Sequence, residues 1–397
     1  MPDAMQLIMR TTQKATETAV VTKDGLLEFY QESQDTESLV GAIFLGRVER
    51  VLPDIKAAFV RIGLAQNGFL PINESESFHL NAETKPLMSG QDILVQVKKN
   101  PKGGKGAFLT RDIALPGQYS LLMPNNRFIG LSKRIEDEQE RDAAKRLGKQ
   151  IADNRFGLIV RHAALFAQHQ AVADEAQELW ERWQELKQRS EYLKAPMLLQ
   201  QEPSMLSVLI RDYAARYDIE VLSVAANPSD APLPWQTLSQ SDMEAAWSGK
   251  RIDKQLAGAI GRRVELKAGG SLVIDEREAL STIDINSGSN VQVSGDDDLP
   301  LAQNLMAIPE MARQIRLRNL SGIILIDFID MRTDEQREQV LAAMHEALAE
   351  DRVKTVVHGF TNLGLLEMTR KRTRDTLRGM MTVPCKACNE NGRVLIS

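Results

Sequence analysis

Cysteine is almost missing from this chain: two residues in 397, both in one CxxC, Cys385 and Cys388. A disulfide-stapled fold is excluded, because a bridge across two residues would be strained and is disfavoured in a reducing compartment. Long apolar runs are missing too. None approaches the roughly 18 residues that a membrane span needs, and the N-terminal MPDAMQLIMR lacks the apolar stretch of an export signal. No membrane association is expected, and the cytoplasm is the expected location. Excess positive charge is also absent. A net charge of −5 argues against a protein that coats nucleic acid indiscriminately, so phosphate contacts have to come from local clusters. Two such clusters exist, Lys98, Lys99, Lys102 and Lys105, and Arg370, Lys371, Arg372, Arg374 and Arg378. Solvated surface is the competing reading of each. The length allows two or more cores, so several subdomains are expected.

What is present is concentrated in two stretches, TIDINSG at 282–288 and SGIILIDFIDM at 321–331. Each carries an aspartate, Asp284 or Asp327, at or just past the end of an apolar β-type run. Two carboxylates from separate strands, with Asn286 beside them, are hard oxygen ligands suited to an ion that keeps several waters and binds phosphate. Mg²⁺ fits that description best. The competing reading is that each aspartate caps a strand or starts a turn. Asp330, three residues on, is a supporting ligand, a helix-entry residue or simply solvated.

Along the chain, residues 1–39 read as hairpin strands that extend a sheet, and 40–115 as short strands with glycine turns, a small OB-type barrel. Phe59 and Phe69 fall near the barrel face, where a ring can stack on an unpaired base or belong to the core. A charged helix is expected over about 137–153, then the strand GLIV ending at Arg161. Apolar residues at 172, 176, 179, 183 and 186 predict an amphipathic helix, in which Trp180 and Trp183 pack rather than stack on bases. NPSDAPLP at 227–234 reads as a loop. Thr333 and Gln336 form a capping box opening a helix whose apolar face is Val340, Met344 and Leu348. His358 follows a strand and is either a turn histidine or a contact beside the metal site.

The run GGSLVIDEREALSTIDINSGS from 269, the LIDFIDM stretch, and HGFTNLGLLEMTRKR from 358 resemble the catalytic region of the ribonuclease E/G family. The likeness extends from about residue 40 to Cys388 and is weakest over 214–261. It implies an α+β chain of several subdomains: an OB-type RNA-binding barrel at 40–115, a ribonuclease H-like part with a 5′-end sensor at 116–265, a deoxyribonuclease-like catalytic part at 266–380, and a zinc-link segment at 381–397. The N-terminal hairpin at 1–39 would extend the ribonuclease H-like part. The resemblance gives Asp284 and Asp327 the Mg²⁺ and Asn286 a supporting place. It gives RNA contact to Phe59, Phe69, Lys99 and Lys105, and a 5′-monophosphate pocket to Gly117, Leu121 and Arg161. His162 departs from the pattern, since the family has threonine there.

The expected function is Mg²⁺-dependent cleavage of single-stranded RNA, in ribosomal RNA maturation or messenger decay, leaving 5′-phosphate products. The alternative is a non-catalytic RNA-binding protein that keeps the fold. Intact Asp284, Asn286 and Asp327 favour catalysis, because unused clustered carboxylates repel one another. A lone CxxC supplies two of the four ligands a structural Zn²⁺ takes, so a second copy would complete the site. Asn389, Glu390 and Asn391 alter the family's glycine-containing knuckle. A homodimer through shared Zn²⁺ is expected, without the family's small C-terminal domain or the scaffold arm of its largest members.

Overall fold

The computed structural model describes residues 3–13, 15–33, 38–72, 86–101, 104–135, 137–201, 204–225, 234–267, 269–287 and 299–383. Two compact units result, one of residues 35–218 and one of residues 3–34 with 219–397. The chain opens in the second unit with an antiparallel meander, β1 (Asp3–Thr11), β2 (Ala15–Thr22) and β3 (Gly25–Ser33). Gly25 turns at φ +116°, which side chains avoid. A Cβ there would strike the Gln255 amide, whose Oε1 accepts from the Leu26 N–H at 2.9 Å.

The unit 35–218 begins with β4 (Ile43–Leu52), β5 (Ala57–Arg61), β6 (Gly68–Pro71), β7 (Asp92–Lys99) and β8 (Phe108–Thr110). β4 pairs with β7 through its first half and with β5 through its second, closing a ring in the order β4-β5-β6-β8-β7. Alternation turns Phe44, Val48, Ala58, Val60, Leu70, Val95, Val97 and Leu109 into the barrel core. β9 (Leu115–Pro116), β10 (Ser120–Met123), β11 (Ile129–Leu131), α1 (Glu138–Ala152), β12 (Gly157–Val160) and α2 (His169–Tyr192) then build a four-stranded sheet, order β11-β12-β10-β9, with both helices on it. Asp137 caps α1 by accepting from the Glu140 N–H at 2.9 Å. In α2 the buried residues are Val172, Ala176, Leu179, Trp183 and Leu186, as the spacing predicts. Trp180 packs on Phe156, ring centroids 5.2 Å apart. β13 (Met197–Gln200) pairs with β4, and α3 (Met205–Tyr213) ends the unit.

In the other unit β14 (Tyr217–Ser223) and β15 (Trp235–Thr237) join the meander in a sheet ordered β15-β14-β1-β2-β3. α4 (Gln240–Gly249) and α5 (Ile252–Ile260) contribute Met243, Trp247, Ile252 and Leu256 to its core with Ile8, Val21, Leu26 and Phe29. β16 (Arg263–Glu265), β17 (Ser271–Glu276), β18 (Leu280–Asn286), α6 (Leu299–Leu317), β19 (Gly322–Asp327), α7 (Asp334–Leu348), β20 (Thr355–Phe360), β21 (Leu366–Arg370) and α8 (Leu377–Met381) complete it. The sheet order is β16-β17-β18-β19-β21-β20. Its β18–β19 pair is parallel, and α6 is the crossover that a parallel pair needs. α6 and α7 cover one face through Ile308, Met311, Ile315, Val340 and Met344.

At this level the molecule is the expected mixed α+β protein, with a closed five-stranded barrel and several sheets. Among the described residues no helix is long and apolar enough to cross a membrane. The 227–233 stretch of the expected loop, Lys102, and Cys385 and Cys388 lie outside the described residues.

Candidate active site and RNA-contact residues

In β18 the residues alternate strictly: Ser281, Ile283 and Ile285 are buried, while Thr282, Asp284 and Asn286 are exposed. β19 follows suit, with Ile324 and Ile326 inward and Ile323 and Asp327 outward. Parallel register sets Asp284 directly opposite Asp327, on strands about 4.8 Å apart. The two carboxylates therefore share the face that the helices leave uncovered. Asn286 Nδ2 donates to Asp284 Oδ2 at 2.8 Å. Burial, then the charges of Asp284 and Asp330, push the Asp327 carboxyl above its ordinary range. The loop after β19 is held from below by Asn304, fully buried on α6: its Nδ2 donates to Ile329 O at 2.8 Å and its Oδ1 accepts from Ile329 N–H at 3.0 Å. Among the described residues no cluster of three or more His, Cys, Asp or Glu could hold a metal ion. The Asp pair is a two-carboxylate site, the donor set that suits a hydrated hard cation.

On the barrel, Phe59 and Phe69 face each other across β5 and β6, both half-buried, with centroids 6.1 Å apart. A third half-buried ring, Phe108 on β8, continues the row 5.8 Å from Phe69. Sequence reading missed Phe108, whose strand FLT is too short for alternation to assign a face. Lys99, ending β7, sets its ammonium 5.3 Å from the Phe108 centroid, and Lys105 is exposed just before β8.

The residues that the resemblance assigns to a 5′-monophosphate pocket also gather. β10 and β12 are antiparallel neighbours, which puts Leu121 opposite Ile159 and sets the turn at Gly117 beside the end of β12. Arg161 donates to Gly117 O at 2.7 Å and to Asp212 Oδ1 at 2.8 Å. The carboxylate of Glu175, on α2, accepts from the backbone N–H groups of Gln118, Tyr119 and Ser120 and from the Ser120 hydroxyl. Gly117 has no Cβ to obstruct it: one would run into that carboxylate. Glu175 was not legible as a partner, since 55 residues separate it from Ser120. His162 Nδ1 lies 2.5 Å from Arg216 Nη2. Arginine only donates, so Nδ1 accepts and the ring is neutral, with its proton on Nε2. Burial first, then the Arg216 and Arg134 charges, hold its pKa below 6.5.

The C-terminal basic cluster does not act as one. Arg370 is buried, donating to both Asp351 oxygens at 2.6 and 3.2 Å and to Asn319 Oδ1 at 2.8 Å. Arg374 lies 4.0 Å from the Tyr30 ring centroid and donates to Phe29 O. Lys371, Arg372 and Arg378 are the exposed members. Only Arg370 lies on β21, which it ends, and tertiary partners, not position in the run, draw Arg370 and Arg374 inward. His358 is exposed on β20, its Nε2 3.0 Å from Thr369 Oγ1, two strands from β19.

Residues 114–373 match the sequence pattern of the Ribonuclease E/G family. Ribonuclease G of Haemophilus influenzae is 36% identical over 420 residues, which cover 99% of this chain and 84% of that protein. Ribonuclease G of Escherichia coli is likewise 36% identical, over 98% of this chain and 84% of its own length. Ribonuclease E of Escherichia coli is 34% identical over 98% of this chain, which is 38% of that larger protein. Likeness at this identity, over nearly the whole of this chain and across the sheet that carries Asp284 and Asp327, places this chain in the ribonuclease E/G family.

Proposed function

We propose that this chain is an endoribonuclease that hydrolyses single-stranded RNA with Mg²⁺ held by Asp284 and Asp327. The observation that carries the reading is the register of β18 and β19, which sets two like charges side by side on an open face. Such a pair is costly unless a cation joins it. When bound, Mg²⁺ supplies positive charge at the scissile phosphate and makes water a stronger nucleophile. Asn286 fixes the orientation of the Asp284 carboxylate, and Asn304 fixes the path of the backbone just after Asp327. Water adds to phosphorus and the 3′-oxygen leaves, so the downstream fragment keeps a 5′-phosphate.

Phe59, Phe69 and Phe108 are a row on which unpaired bases stack, with Lys99 and Lys105 meeting the backbone. Arg161, His162 and the Gly117–Leu121 turn read a 5′-monophosphate. The finer fold assignments, ribonuclease H-like for 116–265 and deoxyribonuclease-like for 266–380, belong to the same reading. So do a cytoplasmic location, action on ribosomal precursor or messenger RNA, and a homodimer sharing Zn²⁺ through Cys385 and Cys388.

Incubation of a 5′-labelled single-stranded RNA with Mg²⁺ and with EDTA tests the proposal. Cleavage that needs Mg²⁺ and leaves 5′-phosphate ends is the expected result. RNA bound but intact under both conditions would instead make the chain a binding protein that retains the fold.

A further inference from the structure

Phe166 ends the single-turn helix His162–Phe166 after β12 and is 61% exposed. A lone exposed ring is ordinary. The surroundings of this one are not. The Arg216 guanidinium lies 5.4 Å from its centroid, and His162 meets it edge-on at 5.2 Å and 64°. Arg216 also donates to His162, which ties the cation, the imidazole and the exposed ring into one layer. Arg161 adjoins it in sequence, and Arg134 adds positive charge at His162. Asp212 is engaged by Arg161 and Arg211 at 2.8 and 3.1 Å. The result is an apolar aromatic face rimmed by cations.

An aromatic plane beside guanidinium groups suits a ligand that is itself aromatic and anionic, which describes a nucleotide. A free phosphate would use the positive charge and leave the ring idle, and an apolar peptide would use the ring and leave the positive charge idle. We propose that Phe166 is a stacking platform for the terminal nucleobase of 5′-phosphorylated RNA, with Arg216 and His162 facing the first phosphates. This rests on the 5′-end reading above and adds to it a requirement for a base as well as a phosphate. Purines, with larger π-surfaces, would be preferred over pyrimidines.

The test is equilibrium binding, in EDTA, of short 3′-labelled RNAs carrying a 5′-monophosphate on either adenosine or an abasic ribose. A matching pair with 5′-hydroxyl ends is measured alongside. In the unaltered protein the base should strengthen binding of the phosphorylated end about tenfold, within the range for one stacked base. Phe166→Ala should abolish that difference, binding base and abasic ends alike, and Phe166→Trp should retain it. The platform is overturned if Phe166→Ala weakens both phosphorylated ends equally, or if removing the base from the unaltered protein changes nothing. Failure of the 5′-phosphate reading shows separately, as equal affinity for phosphate and hydroxyl ends that both carry the base.

Discussion

Two pairs of charged groups on the same six-stranded sheet have opposite fates. Asp351 is wholly buried, and its carboxylate receives two bonds from Arg370, one from the Val353 N–H at 2.9 Å and one from the Thr355 hydroxyl at 3.3 Å. Asp284 and Asp327 are exposed and face each other, and Asn286 donates one side-chain bond to Asp284. The fold neutralises the acid in its interior and leaves the two exposed acids without a cation among the side-chain bonds described above, which is what the proposed Mg²⁺ would supply. The 5′-end region repeats the lesson. Glu175 and Asp212 are fully engaged in shaping a loop and holding Arg161, whereas Phe166 is left exposed. Uncompensated groups mark the places where structure has been given up for function.

The largest effect should come from breaking the compensated pair. Arg370→Met leaves Asp351 buried without its cation, which costs about 3–5 kcal/mol of stability. Urea denaturation should show the midpoint falling accordingly. A loss under 1 kcal/mol would mean that Asp351 finds another partner or protonates cheaply.

The exposed pair should behave in the reverse manner. Asp284→Asn or Asp327→Asn should reduce cleavage by a factor of about 10²–10³ or more, the effect of removing one electrostatic group from a reaction centre. The urea midpoint should hold or rise, because a repulsion has been relieved. Near-normal cleavage in either variant would remove these residues from catalysis, and a large drop in stability would make them structural.

On the barrel, Phe108→Ala should weaken binding of single-stranded RNA by about 1–2 kcal/mol, toward the lower part of the range for a stacked base. Phe59→Ala should cost as much or more. Lys99→Ala should mainly flatten the salt dependence of binding. If Phe108→Ala leaves affinity unchanged while Phe59→Ala lowers it, the row ends at Phe69.

Much of this was legible in local pattern. The β18 and β19 alternation, the buried stripe of α2 and the capping box are all set by residues a few positions apart. In that box the Gln336 N–H donates to Thr333 Oγ1 at 3.3 Å, and Val340, Met344 and Leu348 are the buried face behind it. Asn304, Glu175 and the Asp351–Arg370 pair were not legible, because their partners lie 19 to 57 residues away. A basic run likewise reads as one patch until tertiary contacts divide it, Asp351 taking Arg370 and the Tyr30 ring taking Arg374. That is why Arg370 and Arg374, grouped with phosphate-facing cations on composition, turn out to hold the interior together. Phe108 was missed for a different reason: a three-residue strand gives too short an alternation to place one ring on a face.

The smallest effect concerns His162. With Nδ1 accepting from Arg216 and its pKa held below 6.5 by burial and neighbouring positive charge, the folded ring is neutral near pH 7. Protonation must break the Arg216 contact and set two cations together. The preference for 5′-monophosphate over 5′-hydroxyl RNA should therefore stay nearly flat from pH 8 down to about 6.5 and increase only below it, as the negative charge the phosphate retains offsets that repulsion. Stability should move the other way. A histidine whose folded pKa is depressed leaves the unfolded chain binding more protons, so its contribution is lost as pH falls through the ordinary value near 6.5. His162→Thr should show neither trend. The decisive measurement is the ratio of the two cleavage rates from pH 8 to 5.5, taken with the thermal midpoint at each pH. A ratio that climbs between pH 8 and 7, or one identical in His162→Thr at pH 5.5, would show that the ring does not sense the phosphate in this way.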